Sequence, residues 1–242
     1  MAETRVVAIA GASSGVGRAA AVRLAQGGYA VSLCARREDL LKEIASRIEK
    51  DGGRAAAVKA DMTVWEEAER FIHRTVEAFG RVDVLFNNVG AGVRFTDFEN
   101  MSVQEIDEAI QVNLNSVLYG CRAVLPVMKE QKSGHIVNTT SILGKRARAG
   151  LAAYSAGKHG VDGFSRALFN EVKKHNIKVS ILGPALIKTD WARKAGIITS
   201  FAKGGLEPED VAQALQYLIE TPAHYAVWSM DLMALGQVID PL

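Results

Sequence analysis

Two hydrophobic rhythms run along this chain. Val6–Ala10, Ala30–Ala35, Val82–Phe86, Ile136–Val137 and Val179–Leu182 are short apolar runs, rich in β-branched residues. That is the pattern of strands buried on both faces. Between them the apolar positions move to helical spacing. Glu38–Lys50 carries Leu40, Leu41, Ile44 and Ile48, and Glu66–Phe79 carries Ala68, Phe71, Ile72 and Val76, each forming one face of a helix. Strands and helices in alternation predict an α/β fold: a doubly wound parallel β-sheet with helices on both faces and ligands beyond the carboxyl ends of its strands. The one long stretch without period, Gly183–Leu206, precedes a helix that Pro208, Glu209 and Asp210 open. A loop of that length is expected to act as a substrate or cofactor lid.

Composition narrows the class. At 242 residues and 48% hydrophobic, the chain can bury a full core as one domain spanning 1–242. A formal charge of +2 gives no electrostatic case for nucleic acid or an anionic membrane, so small-molecule partners are expected. The apolar run before Gly11 is too short for a signal peptide, and no stretch of about 18 apolar residues occurs, so a cytoplasmic protein is expected. Cys34 and Cys121 are far apart, and the five histidines show neither HExxH nor CxxC company. No disulfide framework or metal site is indicated, and both thiols are expected packed and reduced.

The first strand runs into Gly11-Ala12-Ser13-Ser14-Gly15-Val16-Gly17. There Gly11 permits a tight turn, Gly15 clears space for a pyrophosphate, and Gly17 lets the following helix lie close on the sheet with its amide end toward the phosphates. A glycine-rich turn can also be only a turn. At the end of the second strand, Cys34-Ala35-Arg36-Arg37 offers no carboxylate for an adenosine ribose and two guanidiniums suited to a 2′-phosphate. NADP(H) is therefore preferred over NAD(H). The plainer alternative is that both arginines are solvated charges ahead of a helix.

A second constellation lies mid-chain. Tyr154 comes thirteen positions after Ser141 and four before Lys158. Reducing a ketone by hydride leaves an alkoxide that needs a proton, and a phenol of ordinary pKa about 10 shuttles one poorly near neutrality. Lys158, one helical turn on, places a cation on the same face and is expected to favour phenolate, as is the positive ring of oxidised nicotinamide. Moving the phenol to about 7 takes roughly 4 kcal/mol of differential stabilisation. Ser141 is expected to donate a hydrogen bond to the carbonyl oxygen. Each residue singly has an ordinary reading, as an i, i+4 pair or a serine after a strand. Their joint spacing behind a dinucleotide turn is the argument.

On these residues the chain resembles the short-chain dehydrogenase/reductase family over nearly its whole length. Gly11–Gly17 is similar to the family's TGxxxGxG turn, with Ala10 for threonine, and Asn87-Asn88-Val89-Gly90 to its NNAG, with valine for alanine. Asn113, Ser141, Tyr154 and Lys158 match its Asn-Ser-Tyr-Lys tetrad in order and spacing. The resemblance implies a Rossmann-like single domain and Tyr154 as general acid/base. It also implies that Ser141 orients the carbonyl, that Lys158 lowers the phenol and bonds the nicotinamide ribose, and that Asn113 holds a relay water. Asn113 could equally be a satisfied buried amide. Among cofactor contacts it implies Ser13, Ser14 and Val16 in the turn, Asp61 and Met62 at the adenine, and Asn88 and Gly90 at the ribose. Asp61 could also be a helix cap before Val64–Phe79. Pro184–Thr189 is similar to PGxxxT, gripping the carboxamide through Ile187 and Thr189, with Ala185 in place of a glycine. Alanine there is strained if the backbone needs positive φ.

Lys145, Arg146 and Arg148 after Ser141, with Arg94 after the fourth strand, either ring the pocket mouth or form a solvated face, and the solvated face is preferred. The small and apolar Gly150, Leu151, Ala152 and Ala153 leave room for a ketone of some bulk. The expectation is an NADP(H)-dependent carbonyl reductase or alcohol dehydrogenase, an enzyme acting on a ketone or secondary alcohol. Its rivals are a 3-oxoacyl-thioester reductase and a non-catalytic dinucleotide-binding sensor. By family analogy a homotetramer is expected, closing through the helices after Asn113 and Tyr154 and an apolar strand near Tyr225–Leu235.

Overall fold

The computed structural model describes residues 4–189 and 204–237. In chain order its elements are β1 (Val6–Ala10), α1 (Gly15–Gln26), β2 (Ala30–Ala35), α2 (Glu38–Lys50), β3 (Arg54–Lys59), α3 (Trp65–Phe79), β4 (Val84–Asn87), α4 (Val103–Ile110) and α5 (Ser116–Gln131). Then follow β5 (Gly134–Thr139), α6 (Ala152–Val172), β6 (Ile177–Pro184), α7 (Pro208–Glu220) and β7 (Ser229–Leu232). The seven strands form one parallel sheet in the order β3-β2-β1-β4-β5-β6-β7. The fold is the doubly wound, Rossmann-like sheet expected from the alternation.

β1 is apolar at every position because both of its faces are covered. Val7 and Ile9 join a core with Leu24 of α1, Leu41 and Ile44 of α2, and Leu215 and Leu218 of α7. Ala8 and Ala10 face the other way, into a core with Phe71 of α3, Val117 and Met128 of α5, and Val161 of α6. The chain crosses from β3 back to β4, so the order reverses between β1 and β4, and a crevice opens beyond their carboxyl ends. In register, Ala10 stands opposite both Cys34 and Asn87, and Asn87 opposite Asn138. The segments after these positions are thereby delivered to one edge.

Several details depart from expectation. β4 begins at Val84, not Val82; just before it, the Asp83 carboxylate accepts from the Val6 amide at 2.7 Å and from Arg81 at 2.7 and 2.9 Å. β3 is alanine-rich and an edge, half-buried between exposed Arg54 and Lys59, so no apolar run announced it. α4 and α5 are joined through a π-helical turn at Gln111–Asn115. Of the expected lid, only its two ends lie within the described residues. Ile187 bridges Leu206 in parallel, with Lys188 donating to the Leu206 carbonyl at 2.8 Å; residues 190–203 lie outside the described residues. Among the described residues, no helix is long and apolar enough to cross a membrane.

Candidate active site

A cleft of ≈ 1050 Å³ occupies the crevice. It is lined by Gly11, Ser13, Ser14, Gly15 and Val16 from the first turn, Arg36 and Arg37 after β2, and Asp61 and Met62 after β3. Asn88 and Gly90 after β4, Asn113, Ser141, Tyr154, Lys158, Pro184, Ile187 and Thr189 complete the expected set along its walls. Gly17 alone of the expected residues does not line it. A Cβ there would stand 2.1 Å from the Gly11 carbonyl oxygen, so its absence lets α1 close on the turn, the packing role expected of it.

The donor set at the first turn fits a diphosphate. α1 begins after Ser14 with no side-chain cap and no acidic residue in its first turn, leaving its terminal amides for an anion. Arg37 leans across the turn, its guanidinium donating to Ser13 Oγ at 2.8 Å and to Ser14 Oγ at 2.7 Å. Arg36 points instead toward Asp61, 3.8 Å away and largely exposed. The two arginines are therefore not equivalent. Asp61 is not the cap of α3. Its carboxylate accepts from the Thr63 amide and hydroxyl at 2.9 and 2.7 Å, while Val64 holds the N-cap position.

The other end of the cleft is assembled from three elements. Ser141 caps a short 3₁₀ turn, its Oγ accepting from the Leu143 amide at 3.2 Å. Tyr154 and Lys158 sit one turn apart on α6, with Nζ 5.8 Å from the phenol ring centre. The ammonium also donates to the Thr139 carbonyl at 3.2 Å. α6 approaches this closely because Gly157 faces the π turn: a Cβ on Gly157 would stand 3.0 Å from the Asn113 Cβ. Asn113 is fully buried and engaged: its Nδ2 donates to the Ala91 and Ala109 carbonyls at 2.8 and 3.0 Å, and its Oδ1 accepts from the Ala91 amide at 3.3 Å. These bonds pin the loop after β4 to the helix.

Burial dominates the electrostatics. It pushes the Tyr154 phenol above its ordinary value, opposed by the hydrogen bond with Ser141. It brings the Lys158 ammonium down to about 8. Burial thus sets the direction for both groups, since each has lost water. Lys158, not Tyr154, is the group brought toward neutrality. The thiols are inert by the same cause: burial raises Cys34, and pushes Cys121 up to about 12.

The loop contacts resolve two further expectations. Positive φ among non-glycine described residues is confined to Lys132 and Asn176, so Ala185 is unstrained, and its amide donates to the Leu232 carbonyl at 2.8 Å. Of the four cations weighed for the pocket mouth, only Arg148 lines the cleft. Lys145 is bound by Asp231 and Ser229, and Arg94 by Glu105 and the Asn100 carbonyl. The cleft also takes in Phe95, Ile142, Leu143 and Leu186, which no motif in the sequence specifies. Phe95 had a faint signal there, as one of two phenylalanines in a short polar stretch after Arg94.

Comparison with known proteins agrees with this geometry. The family model for short chain dehydrogenase matches residues 5–197. An uncharacterised oxidoreductase of Listeria monocytogenes is 33% identical over 229 residues, covering 91% of this chain and 92% of that one. Another, of Staphylococcus saprophyticus, is 34% identical over 231 residues, covering 92% and 93%. Among solved structures, levodione reductase superposes with TM-score 0.88 at 29% identity, covering 95% of this chain and 96% of that one. An alcohol dehydrogenase of the archaeon Thermococcus sibiricus, complexed with 5-hydroxy-NADP, also gives 0.88, at 30% identity over 99% and 100%. A metagenomic short-chain oxidoreductase in complex with NADP gives 0.82, at 30% identity over 95% and 96%.

Proposed function

The chain is an oxidoreductase of the short-chain dehydrogenase family, and from its cleft we propose that it interconverts a ketone and a secondary alcohol with NADP(H), using Tyr154 as general acid and base. The observation that carries the proposal is the convergence of Ser141, Tyr154 and Lys158 at one end of a cleft whose other end holds the glycine turn and Arg37. A nicotinamide dinucleotide held along Gly11–Gly17, Asn88–Gly90 and Pro184–Thr189 would supply the hydride. Everything else is the work of side chains. Ser141 directs its hydroxyl at the carbonyl oxygen and steadies the developing charge. Tyr154 gives that oxygen its proton. A phenol held above its ordinary pKa stays protonated at neutral pH and is ready to donate, and the cation of Lys158 favours the phenolate left behind. Asn113 keeps the loop after β4 against the helix, so that Gly90 remains within reach of Lys158: a Cβ on Gly90 would lie 3.4 Å from Nζ and 3.5 Å from the Asn113 Oδ1.

The preference for NADP(H) rests on Arg37, which the Ser13 and Ser14 hydroxyls hold in place before any phosphate arrives. Preorganisation lowers the ordering cost of the bidentate contact an arginine makes with phosphate. Complexes of two solved relatives with NADP-type ligands support the same reading. We further place the chain in the cytoplasm as a homo-oligomer closed over the exposed Tyr225, Trp228 and Met233.

The test is a titration of wild type and Arg37→Ala with NADPH and NADH, alongside ketone-dependent oxidation of each. Loss of at least tenfold in NADPH affinity, with NADH little changed, is expected. Equal loss for both would reject the 2′-phosphate contact, and absence of ketone reduction by wild type would reject the activity.

A further inference from the structure

The loop after β4 and the loop before α6 meet at a single point beside the catalytic residues. Gly150 has φ +78, and a Cβ built on it would lie 2.9 to 3.1 Å from three atoms of the Phe95 ring. The ring therefore rests directly on the glycine backbone, where no L-residue with a side chain could stand without displacing it. Beside it, the Thr96 amide donates to the Gly150 carbonyl at 3.1 Å, and the Leu151 amide to the Arg148 carbonyl at 3.1 Å, closing the turn. The guanidinium of Arg148 covers the same ring at 5.4 Å from its centre. Phe95 is nonetheless 55% exposed, with part of its surface lining the cleft. A large, well-held aromatic surface turned into a catalytic cleft is more than a packing residue.

We propose that Phe95, seated on Gly150, is a specificity-determining residue whose ring, with Ile142, Leu143, Leu151 and Leu186, forms an apolar bay for a ketone carrying an aryl or alicyclic group. The inference rests on the ketone-reducing function proposed above and names its substrate class. In the described part of the bay, the polar groups at the reacting end are those the carbonyl needs, Ser141 and Tyr154. Of the cations near this end, Lys145 and Arg94 are committed to Asp231 and Glu105, and Arg148, which lines the cleft, lies over the Phe95 ring. A substrate with one carbonyl and a broad apolar body matches that lining. A small or multiply anionic one leaves it uncovered.

The test compares acetophenone with acetone, pyruvate and an acetoacetyl thioester, for wild type, Phe95→Ala and Phe95→Leu. Turnover is measured with NADPH, and acetophenone binding to the protein with NADP⁺ present is measured by calorimetry. Phe95 is half in solvent, so both variants should fold, and unchanged NADPH affinity checks that. Phe95→Ala is expected to raise KM and the calorimetric Kd for acetophenone about tenfold, as the loss of ~55 Å² of apolar contact implies. The kcat and the constants for acetone should hold, with Phe95→Leu between. Equal effects on acetophenone and acetone, no effect on either, or a wild-type preference for pyruvate or the thioester would overturn the proposal. Because calorimetry reads the bay without turnover, a protein that binds acetophenone through Phe95 yet reduces no ketone would refute the redox function while upholding the bay.

Discussion

Lys158 and Tyr154 respond to the same dry surroundings in opposite directions, because removing water penalises whichever form is charged. For the phenol that form is the anion, so its pKa rises; for the amine it is the cation, so its pKa falls to about 8. The reducing direction needs the phenol protonated and the ammonium charged. Since the ammonium is lost as pH rises through about 8, kcat/KM for ketone reduction is expected to fall above that pH, in place of the ordinary lysine value of about 10.4. A pH–rate profile flat to about pH 10 would contradict this. The identities of Ser141, Tyr154 and Lys158 were legible from spacing, since helical periodicity alone puts residues four apart on one face. The balance between charge and burial was not, because a sequence does not say how much water a side chain keeps. The same limit separates Arg36 from Arg37: adjacent and chemically identical, they diverge because Arg37, two places past the end of β2, meets Ser13 and Ser14 while Arg36 faces Asp61.

At the scale of elements, the strands with both faces covered declared themselves. β1, β2 and α2 stand where their apolar patterns put them. β3 gave little sign, since an alanine-rich edge strand between two charged ends has neither a β-branched run nor a clear alternation. The π turn at Gln111–Asn115 was illegible for a different reason: a register shift of one residue in a helix leaves almost no mark on an apolar pattern, while it rotates Asn113 inward to bind the 91 loop. Phe95 illustrates the general difficulty. Loops carry no period, so the partner that gives a loop residue its meaning, here Gly150 some fifty positions on, is found only when the fold brings them together.

For the whole molecule, the doubly wound parallel sheet followed from alternation and handed crossovers, and the reversal between β1 and β4 places the site without reference to any single side chain. One buried group links the sheet's stability to pH. His135, at the start of β5, is buried, and desolvation, with Lys178 and Arg5 adding to it, lowers its pKa to about 3. Ser180 donates to the Val227 carbonyl and so accepts from His135 Nε2 at 2.8 Å, leaving Nδ1 buried with no partner among the described residues. The folded form holds the imidazole neutral while the unfolded chain protonates it below about 6.5. Its contribution is therefore present in full above about 6.5 and is lost as pH falls toward about 3, at up to about 1.4 kcal/mol per pH unit. Urea unfolding of wild type against His135→Leu should show a shallower acid-side decline for the variant; parallel declines would exclude His135 as the cause.

The most direct test of the account is Tyr154→Phe, assayed for NADPH binding and for ketone-dependent NADPH oxidation on the same preparation. The phenol's hydroxyl is the only group removed, so binding should stay within about twofold, while kcat falls by the roughly 10² to 10⁴ that a positioned proton donor contributes. Turnover at the wild-type rate, with cofactor still bound, would show that the proton comes from elsewhere.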